Sequence, residues 1–429
     1  MFIIREDDGG SLVQMVQLAL TRAGFSPMGT DGIFGGKTKL AVIGFQKSRG
    51  LSPDGIVGKN TFKALRPFLV GYTTHKISGG DTLWKISKEL GSTVELIENA
   101  NPNLSASNLQ IGETIIVPFN FDLVPTDIAY SSLLCEFICE GLSVRFPFIE
   151  SSLSGRSVMG KPLPLLKMGK GNSKRFFNAS HHANEWITTP MVLKFTEEYA
   201  KSVVNAENIG DYNAEYTFDN VALYVMPMVN PDGVDLVTGA MPKDNEQYFD
   251  VLSLADNYPN IPFPSGWKAN ILGTDLNLNY PAMWEEAKEQ KYAAGFTLPG
   301  PVNFVGYAPL DQPESKAVYD LSRREDFSLT LSLHTQGEEI YWRFGSYAPE
   351  DGRELGEKMA TVSGYTLTDP VEFQSFAGYK DWFIMTYMRP GYTVEAGRGV
   401  NPLPINRFDE FYPPVEGILS VALGEGLKN

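Results

Sequence analysis

The chain has 429 residues, of which 43% are hydrophobic, and this length can bury a full catalytic core together with small additional modules. Its formal net charge of −15 argues against binding to nucleic acids and against electrostatic attachment to anionic membranes or wall polymers. No stretch of about 18 apolar residues occurs, so the sequence predicts no membrane span.

A glycine-punctuated turn occurs twice near the start of the chain. Residues 31–38 read DGIFGGKT and residues 54–61 read DGIVGKNT, and a helical segment follows each copy. A further helical segment runs from Leu12 to Leu20. Three short helices with two such turns, and with the pair Phe45-Gln46, resemble the small peptidoglycan-binding domain, although any three-helix bundle shares the helical pattern. We therefore predict a peptidoglycan-binding domain over residues 1–70.

The next segment has the order strand, helix, helix, strand. The strands are predicted at 72–77 (YTTHKI) and 109–118 (LQIGETIIVP), and the first helix begins within 80–87 (GDTLWKIS). This pattern resembles a LysM domain over residues 71–119. LysM domains bind glycans that contain N-acetylglucosamine, so the resemblance implies peptidoglycan as a partner.

The LysM resemblance also implies where the glycan binds, because contacts in the family come from the loops after the first strand and after the first helix. The candidate glycan-binding residues at the first of these loops are Gly80, Asp81 and Thr82. We expect Trp84 and Ile86 to lie in the core of the domain rather than to stack on sugar rings.

Two side chains that can bind zinc stand three positions apart further along the chain. They are His182 and Glu185, in SHHANEWITT at 180–189. A catalytic zinc ion takes three His or carboxylate ligands and keeps its fourth position for water or substrate. The HxxE spacing also arises by chance, so it is a hint that needs a third ligand.

The chain has only four histidines from which that ligand could come. His75 lies in the LysM segment, and His181 points away from its neighbour if the chain is extended there. This leaves His334, which ends the apolar, strand-like run LTLSLH at 329–334. A pair of ligands on a loop and a distant histidine at a strand end form a workable site.

Further motifs follow the HxxE pair in a fixed order. Residues 227–233 read PMVNPDG, residues 273–277 read GTDLN, and residues 391–395 read GYTVE, with His334 between the last two. This succession resembles the zinc carboxypeptidase family. We predict a catalytic domain over residues 120–429, with an α/β fold in which helices flank a mixed sheet.

The resemblance implies roles for the chemistry. His182, Glu185 and His334 would bind one zinc ion, and Glu395 would be the general base that takes a proton from zinc-activated water and delivers it to the leaving amine. On sequence alone Glu395 could equally be a salt-bridged surface residue. Lys268 stands where many relatives have an arginine that stabilises the oxyanion, but the cation could also be an arginine that the sequence does not place.

Departures from the digestive carboxypeptidases point to the substrate. Those enzymes hold the terminal carboxylate of the substrate with an arginine at the position of Leu278, and their mobile tyrosine aligns near Phe373. Both groups are absent from this chain. We therefore expect poor activity in ordinary C-terminal trimming of proteins.

Another departure lies at the position that selects the side chain of the leaving group. This position holds Lys380, which suggests a substrate side chain with a negative group, such as meso-diaminopimelate, although Lys380 could simply pair with a nearby acid. Arg398 is a second candidate for carboxylate binding. Asn277 and Asn184 complete the set of candidate substrate-binding residues.

The two wall-binding modules and the missing arginine favour one branch of the family, the γ-D-glutamyl-L-diamino acid endopeptidases, which cleave muropeptide stem peptides. The alternatives are a conventional metallocarboxypeptidase with wall modules and a catalytically silent wall-binding or spore structural protein.

Residues 1–8 lack the basic and apolar regions of a signal peptide. We therefore expect a cytoplasmic or spore-associated enzyme that acts on cell wall or on released muropeptides.

Overall fold

The computed structural model describes residues 3–369 and 375–427, and Phe373 lies outside them. The chain forms two compact units, one made of Met1–Ile128 and Glu136–Ser151 and the other of Ala129–Cys135 and Ser152–Asn429. None of the described helices has the length and the apolar character needed to cross a membrane. The domain boundaries after residues 70 and 119 stay predictions.

The first unit begins with the three expected helices, α1 (Ser11–Arg22), α2 (Gly36–Ser48) and α3 (Lys59–Val70). A buried glutamine before each repeated turn explains why the turn occurs twice. The side-chain amide of Gln46 donates to the second turn at Asp54 Oδ1 (2.8 Å), Ile56 O (3.0 Å) and Thr61 Oγ1 (3.0 Å), and its oxygen accepts from Gly55 N (2.9 Å). Gln17 makes the same four bonds to the first turn.

The order strand, helix, helix, strand is confirmed for the next segment. It consists of β1 (Tyr72–Lys76), α4 (Leu83–Leu90), α5 (Val94–Ala100) and β2 (Thr114–Pro118), with the two strands antiparallel. Ile86 is 1% exposed and lies in the apolar core, as expected. The prediction for Trp84 is wrong, because this residue is 63% exposed. Two residues before Ile86 on a helix, Trp84 faces away from the core that Ile86 enters.

Among the residues that the structure describes, the second unit carries an eight-stranded sheet. Its strands are β3 (Ile149–Arg156), β4 (Pro162–Met168), β5 (Ser173–Ala179), β8 (Val221–Met226), β9 (Leu329–His334), β10 (Glu339–Tyr341), β11 (Thr366–Thr368) and β12 (Gly391–Glu395). Across the sheet they follow the order β11-β10-β12-β9-β5-β8-β4-β3. A small hairpin adds β6 (Asn208–Ile209) and β7 (Tyr212–Asn213). Helix α6 (Ser132–Arg145) lies mostly in the first unit, and only its first four residues belong to the second. The described helices that lie wholly in the second unit are α7 (Thr188–Val204), α8 (Ala214–Asn220), α9 (Pro231–Val237), α10 (Glu246–Ala255), α11 (Trp284–Ala293), α12 (Pro313–Glu325), α13 (Gly352–Ser363), α14 (Tyr379–Tyr387) and α15 (Phe408–Gly424).

The sheet is mixed, and helices cover both of its faces. Strands β8, β5, β9 and β12 are parallel to one another, whereas β4 and β10 run antiparallel to their neighbours β8 and β12. Adjacent residues of a strand point to opposite faces. On β5, Phe176 packs against Tyr379 of α14 with ring centroids 6.0 Å apart, and Phe177 packs against Phe195 of α7 at 6.1 Å. Helices α14 and α7 therefore lie on opposite faces.

The parallel strands bring the predicted site residues to one edge of the sheet. His334 and Glu395 are the last residues of β9 and β12 and are paired in register, and His182 follows the end of β5 by three residues. Ligands of open α/β sheets bind outside the carboxyl ends of the strands, which is where these side chains lie.

Candidate functional site

The predicted zinc ligands form one buried group at this edge of the sheet. His182 Nδ1 lies 3.0 Å from Glu185 Oε1, and His334 Nδ1 lies 2.9 Å from Glu185 Oε2 and 3.0 Å from His182 Nδ1. All three side chains are buried. Two imidazole nitrogens and a carboxylate that point at one spot could hold a metal ion.

The other two histidines lie apart from this group. His181 points into the core, where its Nε2 is 3.0 Å from the hydroxyl of Tyr280, and burial holds the pKa of His181 well below its usual range. His75 lies on β1, and its Nε2 is 2.8 Å from Asp81 Oδ2. Neither belongs to the metal-binding group that the described residues form.

The loop that carries His182 and Glu185 is held by the NPDG motif. The side-chain amide of Asn230 donates to the carbonyls of His181 (3.2 Å) and Ala269 (3.0 Å). A Cβ at Gly233 would come within 2.7 Å of Ala183 Cβ, so only glycine lets α9, which begins within the motif, approach the loop this closely. The motif thus links the candidate metal ligands to the segment that carries Lys268.

Asp275, to which the sequence analysis gave no role, orients one of the candidate ligands. Its Oδ1 lies 3.1 Å from His182 Nε2, and this contact turns the Nδ1 atom of His182 towards Glu185. Burial raises the pKa of Asp275, but the positive charges of Lys268 and His182 lower this pKa by more than burial raises it. The carboxylate therefore stays ionised. The signal in the sequence is the acidic residue two positions before Asn277 in GTDLN.

Glu395 and Lys268 face the same cavity as His182. Burial and the Glu185 carboxylate raise the pKa of Glu395 above its usual range, which is favourable for a residue that must accept a proton. Burial lowers the pKa of Lys268, but Asp275, Glu185 and Glu395 together raise it more, so this side chain stays charged. Lys268 Nζ is 3.9 Å from Asp275 Oδ2.

The cavity has a volume of about 370 Å³ and is lined by two of the four candidate substrate-binding residues. Asn277 reaches it while its Oδ1 accepts from Tyr379 N at 3.0 Å. Lys380 also lines the cavity, but its ammonium already binds Asp381 and, at 2.8 Å, the Arg343 carbonyl. The alternative that the sequence analysis left open, a pairing of Lys380 with a nearby acid, therefore does occur.

The remaining two substrate-binding candidates, Asn184 and Arg398, are not among the residues that line this cavity. Asn184 is buried. The Arg398 side chain is 70% exposed and pairs with Glu338 at 2.6 Å. Leu278, by contrast, does line the cavity, together with two cations that the sequence analysis did not single out, Lys291 and Arg343.

The predicted glycan-binding residues all have local structural roles. Thr82 caps helix α4 by accepting from Lys85 N at 3.2 Å. The Asp81 carboxylate accepts from Ser78 N at 2.8 Å in addition to its contact with His75, and the Gly80 carbonyl accepts from the Lys85 ammonium at 2.9 Å. Their contact with a glycan stays a prediction.

Family models match three parts of the chain. The zinc carboxypeptidase model matches residues 138–422, about two thirds of the chain. The chain belongs to the zinc carboxypeptidase family. Models of the peptidoglycan-binding domain and of the LysM domain match residues 9–65 and 75–118. All three resemblances and the assignment as a zinc metallopeptidase are therefore confirmed.

Individual relatives agree with the family. Over 283 residues the chain is 40% identical to the gamma-D-glutamyl-L-diamino acid endopeptidase 1 of Lysinibacillus sphaericus, a match that covers 66% of this chain and 69% of the relative. It is also 40% identical over 280 residues to the uncharacterized protein YqgT of Bacillus subtilis strain 168, which covers 65% of this chain and 73% of that protein.

Solved structures show the fold. The thrombin activatable fibrinolysis inhibitor matches 75% of this chain over 90% of its own length, with a TM-score of 0.52 and 16% identity. The carboxypeptidase A of Helicoverpa armigera matches 80% of this chain over 82% of its own, with a TM-score of 0.51 and 19% identity. The predicted α/β fold class, with helices that flank a mixed sheet, is confirmed.

The candidate ligands fit the metal that the family implies. Ligand atoms of a tetrahedral zinc ion at 2.0–2.1 Å from the metal lie about 3.3 Å from one another. The two Nδ1 atoms of His182 and His334 lie 3.0 Å apart, and each lies 2.9–3.0 Å from a different carboxylate oxygen of Glu185, which is close to this value. Two histidines and one carboxylate also leave a coordination position open, as in catalytic zinc sites.

Proposed function

We propose that the protein is a zinc-dependent peptidoglycan peptidase that hydrolyses the bond between γ-D-glutamate and an L-diamino acid in stem peptides. The observation that carries the proposal is the cavity, which places a candidate metal ligand, a carboxylate base and several cations around one space. The name of the Lysinibacillus sphaericus relative and the two wall-binding domains support the choice of substrate.

The chain's own residues then have distinct tasks. His182, Glu185 and His334 would hold one zinc ion, which would supply polarisation of the scissile carbonyl and a lowered pKa of water. Glu395 accepts the proton of the attacking water and passes it to the leaving amine. Lys268, charged and close to Asp275, stabilises the negative charge that develops on the carbonyl oxygen.

Lys380 is our candidate for recognition of the distal carboxylate of meso-diaminopimelate. Its side chain is 9% exposed and lines the cavity, and its pairing with Asp381 fixes the ammonium in place. A lysine side chain at the same place in the substrate would meet this charge with a like charge. Replacement of Lys380 by Ala should therefore reduce kcat/KM more for diaminopimelate peptides than for lysine peptides, and equal losses would remove this role.

The amino-terminal domains would increase the local concentration of substrate by binding peptidoglycan, without any contact at the reaction centre. N-acetylglucosamine-containing strands are the proposed ligand of the LysM domain, with Gly80, Asp81 and Thr82 as the candidate contacts. The cytoplasmic or spore-associated location stays a prediction, which fractionation of cells and spores with an antibody would test.

Incubation of the zinc-loaded protein with L-Ala-γ-D-Glu-meso-diaminopimelate and with longer stem peptides, followed by mass spectrometry, tests the proposal. We expect release of L-Ala-D-Glu, loss of activity with a chelator, and recovery on addition of zinc. Release of only a C-terminal residue from longer stem peptides would identify a conventional carboxypeptidase instead. No product under zinc-replete conditions would identify a catalytically silent wall-binding protein.

A further inference from the structure

The cavity beside the candidate metal ligands is lined by charged side chains of both signs. Of the described residues that line it, four are cationic (Lys268, Lys291, Arg343 and Lys380) and three are acidic (Asp275, Asp381 and Glu395). A cation in such a cavity that no acidic side chain neutralises would attract an anionic ligand. The substrate proposed above carries several carboxylates, so the question is which cation binds which of them.

Three of the four cations already have a partner within the protein. Lys268 faces Asp275, Lys380 binds Asp381, and the Arg343 guanidinium pairs with Asp369 at 3.0 Å. Lys291 differs from them. Among the residues that the structure describes, its ammonium forms neither an ion pair nor a hydrogen bond, although the residue is half-buried and lines the cavity.

Lys291 lines the same cavity as His182, Lys268 and Glu395. Its side chain therefore borders the space in which the scissile bond would lie.

The packing of Leu278 explains why this cation comes from a helix. Leu278 occupies the position at which digestive carboxypeptidases hold a substrate carboxylate with arginine. Here its side chain packs against an apolar cluster that includes Trp284 and Ala287 of α11 and, at the edge of the cluster, Tyr292. The same helix carries Lys291 into the cavity in its last turn. The positive charge missing at position 278 is thus supplied thirteen residues later.

We propose that Lys291 binds a substrate carboxylate beside the scissile amide, in place of the arginine that Leu278 replaces. The inference rests on the proposed function and names the recognition group of that same site. Two carboxylates of the stem peptide lie next to this bond, the α-carboxylate of D-glutamate and the α-carboxylate of the diamino acid. A lysine ammonium recognises either of them as a point charge, without the paired geometry of arginine.

The test uses the full-length zinc-loaded enzyme with Lys291→Met and Lys291→Arg. Lys288→Met is the matched control, because Lys288 lies one turn earlier on α11 with its ammonium over the rings of Trp284 and Tyr292, and does not line the cavity. The substrates are L-Ala-γ-D-Glu-meso-diaminopimelate and two forms of it, each with one of the two α-carboxylates converted to an amide. Steady-state kinetics and thermal unfolding are measured for every variant.

We expect Lys291→Met to lower kcat/KM on the unmodified peptide by roughly 10- to 100-fold, the value of one charge-assisted hydrogen bond, with most of the change in KM. The loss should disappear on the peptide in which the bound carboxylate is an amide, and this identifies the carboxylate. Lys291→Arg should recover part of the activity, and Lys288→Met should match the wild type.

Two results would overturn the role of Lys291. One is an unchanged kcat/KM of Lys291→Met on all three peptides, and the other is an equal loss on all three, which indicates a structural effect. If the wild-type enzyme cleaves none of the peptides, the proposed function is overturned, and this inference falls with it. Cleavage by the wild type with no specific effect at Lys291 overturns the inference alone.

Discussion

Replacement of Asp275 by Asn should weaken metal binding, although the two side chains have nearly the same shape. The Asp275 carboxylate is 2% exposed, and its Oδ1 meets both His182 Nε2 at 3.1 Å and Asn277 N at 3.2 Å. Since Asn277 N–H needs an acceptor there, the oxygen of the new amide would keep this position. Its NH2 group would then face the Lys268 ammonium, which lies 3.9 Å from Oδ2.

The magnitude follows from these contacts. A hydrogen bond to a charged group contributes about 1.5–3 kcal/mol and a neutral one about 0.5–1.5 kcal/mol, so the contact with His182 loses about 1–1.5 kcal/mol. The donor that faces Lys268 adds to this loss. We expect metal affinity to fall about 10- to 100-fold, or about 1.4–2.7 kcal/mol, which is the usual effect of removing the partner of a ligating histidine.

Competition with a chromogenic zinc chelator measures this affinity directly. Asp235→Asn is the matched control, because Asp235 is a buried carboxylate away from the cavity that binds Ser132 N at 2.7 Å and Lys161 Nζ at 2.7 Å. The control should lower the unfolding temperature and leave zinc affinity unchanged. Equal zinc affinity of Asp275→Asn and the wild type would refute the role of Asp275 as the group that orients His182.

Three further predictions concern other parts of the chain. Glu395→Gln should lower kcat by about 10²- to 10⁴-fold without loss of zinc binding, and an unchanged rate would reject Glu395 as the general base. Gln46→Ala should destabilise the first unit by at least about 1–3 kcal/mol in urea unfolding, because it removes four hydrogen bonds at once. Trp84→Ala should change stability by less than about 0.5 kcal/mol, whereas Ile86→Ala should cost about 2–5 kcal/mol, and similar costs for both would contradict the exposure of Trp84.

The sequence by itself determined the three modules, the class of enzyme and the set of candidate metal ligands. These features depend on local signals, such as the repeated DGI turn, the periodicity of the helices and strands, and ligand types at short spacing. His334 could be singled out because it ends a short β-prone run, whereas Glu395 needed the resemblance to the family to be chosen over a surface role. Both end parallel strands, whose carboxyl ends meet at one edge of the sheet.

Only the tertiary structure decided which polar side chains share the cavity. Lys380 and Asn277 line it, whereas Arg398, only three residues after Glu395, is exposed and pairs with Glu338. Short sequence separation does not predict a shared site, because the direction of a side chain depends on how its segment packs. Lys291 is the opposite case, since only the packing of α11 on Leu278 brings its charge into the cavity.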